Sequence, residues 1–460
     1  MTETTLSARD PRPVPDVILP ADNPFLQGNF GPVEGETDAG ELKVRGSLPR
    51  ALSGQLLRNG PNPTDPGPDH HWFQGDAMIH GVRIEDGRAV GYRNRYIRTT
   101  RIEETLGLEA APISAHQPLM QGGGNVHVIW HAGKILALSE VGLPYELDAE
   151  LGTVGQYDFA GKLSSSMTAH PKIDPDTGEL VFFGYDFFDV KLRYHVADAT
   201  GALVHSVDID KPTATMMHDF GVTASRVIHM DLPVIFDLKM VERGRSLPFR
   251  WSDEHPARLG VMPRRGGSDD VRWLEIDPCY VFHPLNAYDD GARIVMDVVR
   301  YDRTFVDGQI ALEETPGRLV RWTIDPDAGS VDSDTIDADG QEFPRVDPRV
   351  EGRRHRYGYA VSVADDPARG FDGLIKHDVE AGTRQAHMFG GGRAPGEGVF
   401  VPVGDGEDEG YLLSVVYDPS SDRSEVVVLD AQRFTDDPVA VIELPGRVPF
   451  GFHGSWLPQD

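Results

Sequence analysis

The stretch HPKIDPDTGELVFFG, residues 170–184, closes on five apolar and aromatic residues, Leu180–Gly184. Just before them, Asp-Pro-Asp-Thr-Gly at 174–178 supplies residues that bend a chain. Proline presets φ, aspartate side chains bond nearby backbone, and glycine accepts a left-handed conformation. A short apolar run bounded by such a turn predicts a buried strand, because a helix of that character would show a 3.6-residue period over ten or more residues. The pattern recurs at Lys134–Ser139 (KILALS), Gly410–Val416 (GYLLSVV) and Glu425–Leu429 (EVVVL). Fifty glycines and 35 prolines among 460 residues interrupt long helices repeatedly. One of the few helical candidates is Thr105–Ala111, and it is short.

Many short strands at close spacing predict an all-β closed architecture: a pair of sandwiches, a barrel or a propeller. A propeller removes exposed sheet edges by radial repetition, and at roughly 40–60 residues per blade this chain has room for seven. No dipeptide such as Trp-Asp recurs, so periodicity alone does not choose among the three. Residues 1–40 are Pro-rich and read as an N-terminal arm; 41–460 contain no low-complexity linker and read as one domain.

Composition excludes several classes of function. Hydrophobic residues are 39% and charged residues 25%, as in a soluble globular protein with a large core. A net charge of −29 repels a phosphate backbone, so no nucleic-acid partner is expected. The single cysteine, Cys279, excludes an internal disulfide framework and suits a reducing, cytoplasmic setting. The opening MTETTLSARDPRPVPD has no basic start followed by an apolar run, so it does not read as a secretory leader. No window reaches the roughly 18 apolar residues of a spanning helix. The expectation is a soluble chain, with peripheral contact to a membrane surface left open and the oligomeric state undetermined.

Most of the 17 histidines need no special explanation, since a lone histidine is usually a surface or satisfied core residue. Four differ in context: His170 in SMTAHPKIDP, His218 in MMHDFGVT, His283 in VFHPLNAYDD and His453 in VPFGFHGSW. Each lies at the edge of an apolar or aromatic run, where an unpaired imidazole is costly to bury. They are far apart in the chain, which excludes a zinc site with paired histidines on one helix. Convergence would require a fold that brings distant strands to one axis, as a propeller does. An all-imidazole site suits Fe(II), Zn(II) or Cu(II).

Beyond these residues, the chain resembles the carotenoid cleavage oxygenases, a family that includes plant carotenoid dioxygenases, bacterial apocarotenoid and stilbene oxygenases and the retinal-pigment isomerase. The likeness runs almost end to end, through GNFGP (28–32), RNGPNP (58–63), HWFQGDAMIH (71–80), RYIRT (95–99), LALSE (136–140), the four histidine contexts, EFPRV (342–346), GEGVFVP (396–402) and LPGRVPFGFHG (444–454). It implies a seven-bladed β-propeller with a loop and helix dome over an axial Fe(II) held by His170, His218, His283 and His453. It further implies outer carboxylates at Glu140, Glu342 and Glu397, each behind an imidazole, fixing its tautomer and strengthening its donation to the metal. The implied reaction is cleavage of a C=C bond by O2 to two carbonyl products, with no catalytic residue beyond the metal centre.

Two departures from the family bear on the site, the first on the handling of O2 or water and the second on substrate. Many relatives carry threonine where this chain has Val126, near the oxygen site. Stilbene-cleaving relatives place lysine where this chain has Ser139. The wording is nearest plant-type enzymes, so a carotenoid or apocarotenoid is the expected hydrophobic alkene. The alternative is an aromatic alkene such as isoeugenol or vinylguaiacol, with Tyr96 the residue to test for activating the phenol. From other classes, a non-catalytic propeller that binds lipid or protein, and a zinc hydrolase, stay open.

Overall fold

Strand Leu180–Tyr185 is buried along its entire length, on both faces. In contrast, Leu203–Asp210, the outermost strand of the same sheet, alternates between half-buried and exposed positions along most of its length. This gradient explains the sequence: a strand with a neighbouring sheet on each side reads as a continuous apolar run, while a rim strand alternates. The computed structural model describes residues 23–188, 190–245, 247–306, 316–364 and 370–459. The first 22 residues of the expected arm therefore lie outside the described part.

Seven antiparallel sheets of four to six strands make a seven-bladed propeller. We number the blades by the order in which the chain builds them. The second to sixth blades are sequential four-stranded meanders, whose inner strands are His127–His131, Lys172–Ile173, Phe220–Val222, Tyr280–Asp290 and Gln341–Arg345. The first and seventh blades each draw on both ends of the chain. The first contains Gly54–Pro61, Ala77–Glu85 and Arg88–Tyr96, and its inner strand is the C-terminal Gly454–Pro458. The seventh is built on Gly410–Asp418, Arg423–Asp430 and Ala440–Glu443, and its outer strand is the N-terminal Val44–Gly46. This two-way exchange closes the ring and leaves neither end as a free inner edge.

The predicted strands stand within a residue or two of their expected limits: Lys134–Leu138, Leu180–Tyr185, Gly410–Asp418 and Arg423–Asp430. The helix does not. It runs Thr100–Leu106 rather than 105–111, because Thr99 caps its start by accepting from the Ile102 N–H, and Gly107, at φ 67°, ends it in a left-handed turn. The dome is mainly loops, with helix Leu238–Glu242 and the hairpin Val234–Phe236/Phe249–Trp251 inserted between the second and third strands of the fourth blade. Ahead of the first blade, Phe25 and Phe30 pack on His71, Trp72 and Phe450.

Where the inner strand of the first blade is entered, Gly451 runs against the Asn59–Gly60 backbone. A Cβ at Gly451 would overlap the Asn59 carbonyl oxygen and stand 2.9 Å from the Gly60 Cα. Neither neighbour is a flexible side chain that can move aside. Gly451→Ala should therefore cost about 1–3 kcal/mol, read as a lowered melting temperature; an unchanged melting temperature would contradict this account of the closure.

Candidate metal centre

The inner strands bring one polar residue per blade to the propeller axis. His453 immediately precedes Gly454–Pro458, His127 opens His127–His131, His170 and His218 precede Lys172–Ile173 and Phe220–Val222, and His283 lies within Tyr280–Asp290. Glu342 lies within Gln341–Arg345, and Glu397 falls between the paired segments Ala394–Pro395 and Val399–Pro402. The strands are irregular where they must re-aim these side chains. The register shifts on either side of Pro284 and again after Glu342, as bulges do when they redirect a residue. Phe343 adopts φ 52°, a costly conformation for a bulky residue. In it, the Phe343 N–H bonds the Glu342 carboxylate.

All four histidines singled out in the sequence meet here. Ligand atoms of His170, His218 and His283 lie within 4.8 Å of one another. The ring centroid of His453 is 4.7 Å from that of His170 and 4.9 Å from that of His283. The three glutamates stand behind them: Glu140 contacts Nδ1 of His218 at 2.8 Å, Glu342 contacts Nδ1 of His283 at 2.7 Å, and Glu397 contacts Nδ1 of His453 at 2.8 Å. Burial, reinforced by the neighbouring imidazoles, holds His170 and His453 well below the usual histidine range, so both are neutral donors. At His218 burial pulls the same way, but the Glu140 carboxylate outweighs it and the balance is upward.

This arrangement fits a bound cation. A carboxylate only accepts, so each partnered Nδ1 carries its ring's proton and Nε2 presents a lone pair. Nε2 of His218 and Nε2 of His283 then face each other across 3.2 Å. Two buried lone pairs at that distance repel unless a cation lies between them. One proton could bridge that pair, yet Nε2 of His170 would remain buried without a partner. A metal ion would satisfy every such nitrogen at once, and neutral imidazoles suit iron, zinc or copper.

A cavity of about 430 Å³ opens over the histidines. Its inner wall is Trp72, Phe73, Phe282, Phe343 and Phe452, with His218, His283, His453, Glu140 and Glu342 at the closed end. Towards solvent it passes Met216, Phe236 and Phe249 to the exposed Phe188, Val241 and Arg245. Val126 lines the cavity as an apolar residue. Ser139 does not line it; its hydroxyl donates to the Val141 carbonyl at 2.7 Å. Tyr96, the residue to test under the aromatic-alkene alternative, lies elsewhere. It is buried with Met78 and Ile102, and its hydroxyl engages Asn62. Tyr96 sits on the first-blade strand Arg88–Tyr96, which does not reach the axis.

Sequence reading overlooks two supports. The Tyr185 hydroxyl donates to Glu140, and Arg345 pairs with Glu397 at 3.3 Å. Tyr185 ends the run LVFFGY and looks like one more core aromatic; Arg345 lies inside EFPRV, where its charge is a visible signal.

The geometry has counterparts among known proteins. Residues 30–458 match the family model described as retinal pigment epithelial membrane protein. A carotenoid cleavage oxygenase of Mycobacterium tuberculosis is 39% identical, over 95% of this chain and 98% of its own length. A carotenoid 9,10(9',10')-cleavage dioxygenase of Crocus sativus is 36% identical, over 95% of this chain and 89% of its own. Among solved structures, a lignostilbene dioxygenase of Pseudomonas brassicacearum superposes with a TM-score of 0.87 at 29% identity, covering 96% of this chain and 100% of that one.

Tyr185 offers a test of the outer layer. Its phenol is pushed well above the ordinary tyrosine range by burial and by Glu140, so it stays protonated and donates. Tyr185→Phe removes a hydrogen bond to a half-buried carboxylate and should cost about 1.5–3 kcal/mol in unfolding experiments. No change in stability would show that the bond contributes nothing.

Proposed function

Starting from the fact that the chain belongs to the retinal pigment epithelial membrane protein family, the carotenoid cleavage oxygenases, we propose that it is an Fe(II)-dependent dioxygenase. In this reading it cleaves one C=C bond of a carotenoid or apocarotenoid with O2. The observation that carries the proposal is the pair of facing Nε2 atoms 3.2 Å apart, each on a ring whose Nδ1 is held by a carboxylate. His170, His218, His283 and His453 would hold the ion. Iron(II), when bound, supplies the redox chemistry of O2 that no amino-acid side chain can perform.

The remaining work falls to the chain. Glu140, Glu342 and Glu397 keep Nδ1 protonated on three rings, so that Nε2 is free to donate and the rings cannot turn. Phe73, Phe282, Phe343 and Phe452 form apolar walls that bind a flat alkene beside the histidines and exclude water. The reaction needs no acid or base: one alkene and one O2 contain all the atoms of two carbonyl products. Accordingly, the titratable groups at the closed end are the histidines and their glutamates, already engaged with one another.

The apolar wall also supports the choice of a polyene over a phenol. Ser139 spends its hydroxyl on backbone, and Tyr96 is remote from the cavity, so neither is available to take a phenolic proton. An ionised phenol without a partner would be strongly disfavoured in such a site. An aromatic alkene is the second reading, favoured by the likeness to the lignostilbene dioxygenase and by a cavity that would enclose a small ring.

Two experiments separate these readings. Protein prepared without oxygen should take up one Fe(II) per chain, His283→Ala should lose the ion or all turnover, and Glu342→Gln should fold while losing roughly 10–100-fold in metal affinity or activity. Full iron occupancy with normal activity in His283→Ala would defeat the metal assignment, and a zinc enzyme would turn over without O2. For substrate, kcat/KM is compared for an apocarotenal, a hydroxystilbene, isoeugenol and the methyl ether of each phenol. The apocarotenal should be cleaved and free hydroxyl groups should not matter. A phenol cleaved efficiently, with its ether inert and the apocarotenal untouched, would replace the carotenoid by the aromatic alkene.

A further inference from the structure

A fifth histidine stands on the axial ring and has no part in the roles above. His127 opens the inner strand of the second blade, the one blade between His453 and His283 that brings no expected ligand. It is 5% exposed, and its ring centroid lies 5.2 Å from that of His453 and 6.3 Å from that of His170. Its Nδ1 lies 2.9 Å from the carbonyl oxygen of Ala169. A carbonyl oxygen only accepts, so Nδ1 carries the proton and donates. Its Nε2 is buried with no partner among the described residues.

Ala169 directly precedes His170, and His170 is the histidine without a carboxylate in contact. The nearest, Asp219, is 3.8 Å from its Nδ1, too far for a direct hydrogen bond. Asp219 is also engaged by Lys172 at 3.0 Å and by the Phe220 N–H at 2.7 Å. Two of the other histidines are supported from the inner strand of the adjacent blade: Glu342 of the sixth holds His283 of the fifth, and Glu397 of the seventh holds His453 of the first. His127 of the second blade stands in the same relation to His170 of the third, but it grips the peptide rather than the ring. The Ala169 carbonyl and the His170 nitrogen share one planar unit, so holding that carbonyl fixes the plane from which the His170 side chain departs.

We propose that His127 is the positioning residue for His170: its Nδ1–H, on the Ala169 carbonyl, aims the one imidazole that no carboxylate orients. The inference rests on the metal-site reading given above. Asparagine places an amide nitrogen where histidine has Nδ1, whereas leucine offers no donor. Co(II) serves as the probe, read by its dissociation constant and by its visible ligand-field spectrum in the full-length chain.

His127→Asn should bind Co(II) within about threefold of the unmodified chain, with the same spectrum. His127→Leu should bind roughly 10–100-fold more weakly, with altered bands. In a His170→Ala background, His127→Leu should change the affinity by less than about twofold, because the residue it positions is gone. Unmodified affinity and spectrum in His127→Leu would overturn the proposal. So would an equal loss in both backgrounds, or a lowered melting temperature with an unchanged spectrum, which marks a purely structural role. If His127→Leu does not fold, His127→Gln, whose amide falls at the Nε2 position, takes its place in every comparison. Failure of the unmodified chain to bind Co(II) is a separate outcome, and it defeats the metal site itself.

Discussion

Two imidazole nitrogens, Nε2 of His218 and Nε2 of His283, stand 3.2 Å apart in the buried centre of the molecule with their lone pairs opposed. They are kept so by Glu140 and Glu342, which hold the opposite edge of each ring and leave no freedom to turn away. A bridging proton would relieve that pair alone, whereas a metal ion would also satisfy Nε2 of His170, which is buried without a partner. The surrounding structure serves to maintain this contact. The inner strands deliver the rings, the bulges at Pro284 and after Glu342 correct their aim, and Phe343 keeps a left-handed backbone so that its N–H can bond Glu342.

A propeller suits this task because its inner strands come from remote parts of the sequence yet converge on one axis. Closure matters most at the first blade, where His453 leads directly into Gly454–Pro458, the strand registered against Gly54–Pro61 near the start of the chain. The Phe452 N–H to Asn59 carbonyl and Asn59 N–H to His453 carbonyl bonds, both 3.0 Å, tie that histidine to the N-terminal part of the fold. A histidine supplied by the seam of the ring ties the site to ring closure. The apolar cavity above is then left to the dome loops, which can vary in sequence without moving the histidines.

Much of this was legible in the sequence, for physical reasons. Leu180–Tyr185, and Val426–Leu429 within Arg423–Asp430, lie between two sheets and announce themselves as unbroken apolar runs. The four histidines and three glutamates were visible through the family resemblance of their local motifs, and the structure brings every one of them to the axis. Spacing alone could not have done so, since propeller geometry joins residues hundreds of positions apart. The helix was misplaced because its ends are decided by Thr99 and Gly107 rather than by apolar period. Tyr96, a residue to test only if the substrate is a phenol, packs beside Asn62 away from the cavity, a placement its motif does not reveal. His127 escaped notice because its partner is a backbone carbonyl, which leaves no mark in the sequence.

The central claim is a four-imidazole iron site, and X-ray absorption at the iron edge of anaerobically prepared protein tests it most directly. The account predicts one Fe(II) per chain, a first shell of nitrogen and oxygen atoms, and outer-shell scattering that requires four imidazole rings. A first shell dominated by carboxylate oxygen, fewer than four imidazoles, or protein that retains no stoichiometric iron would contradict it.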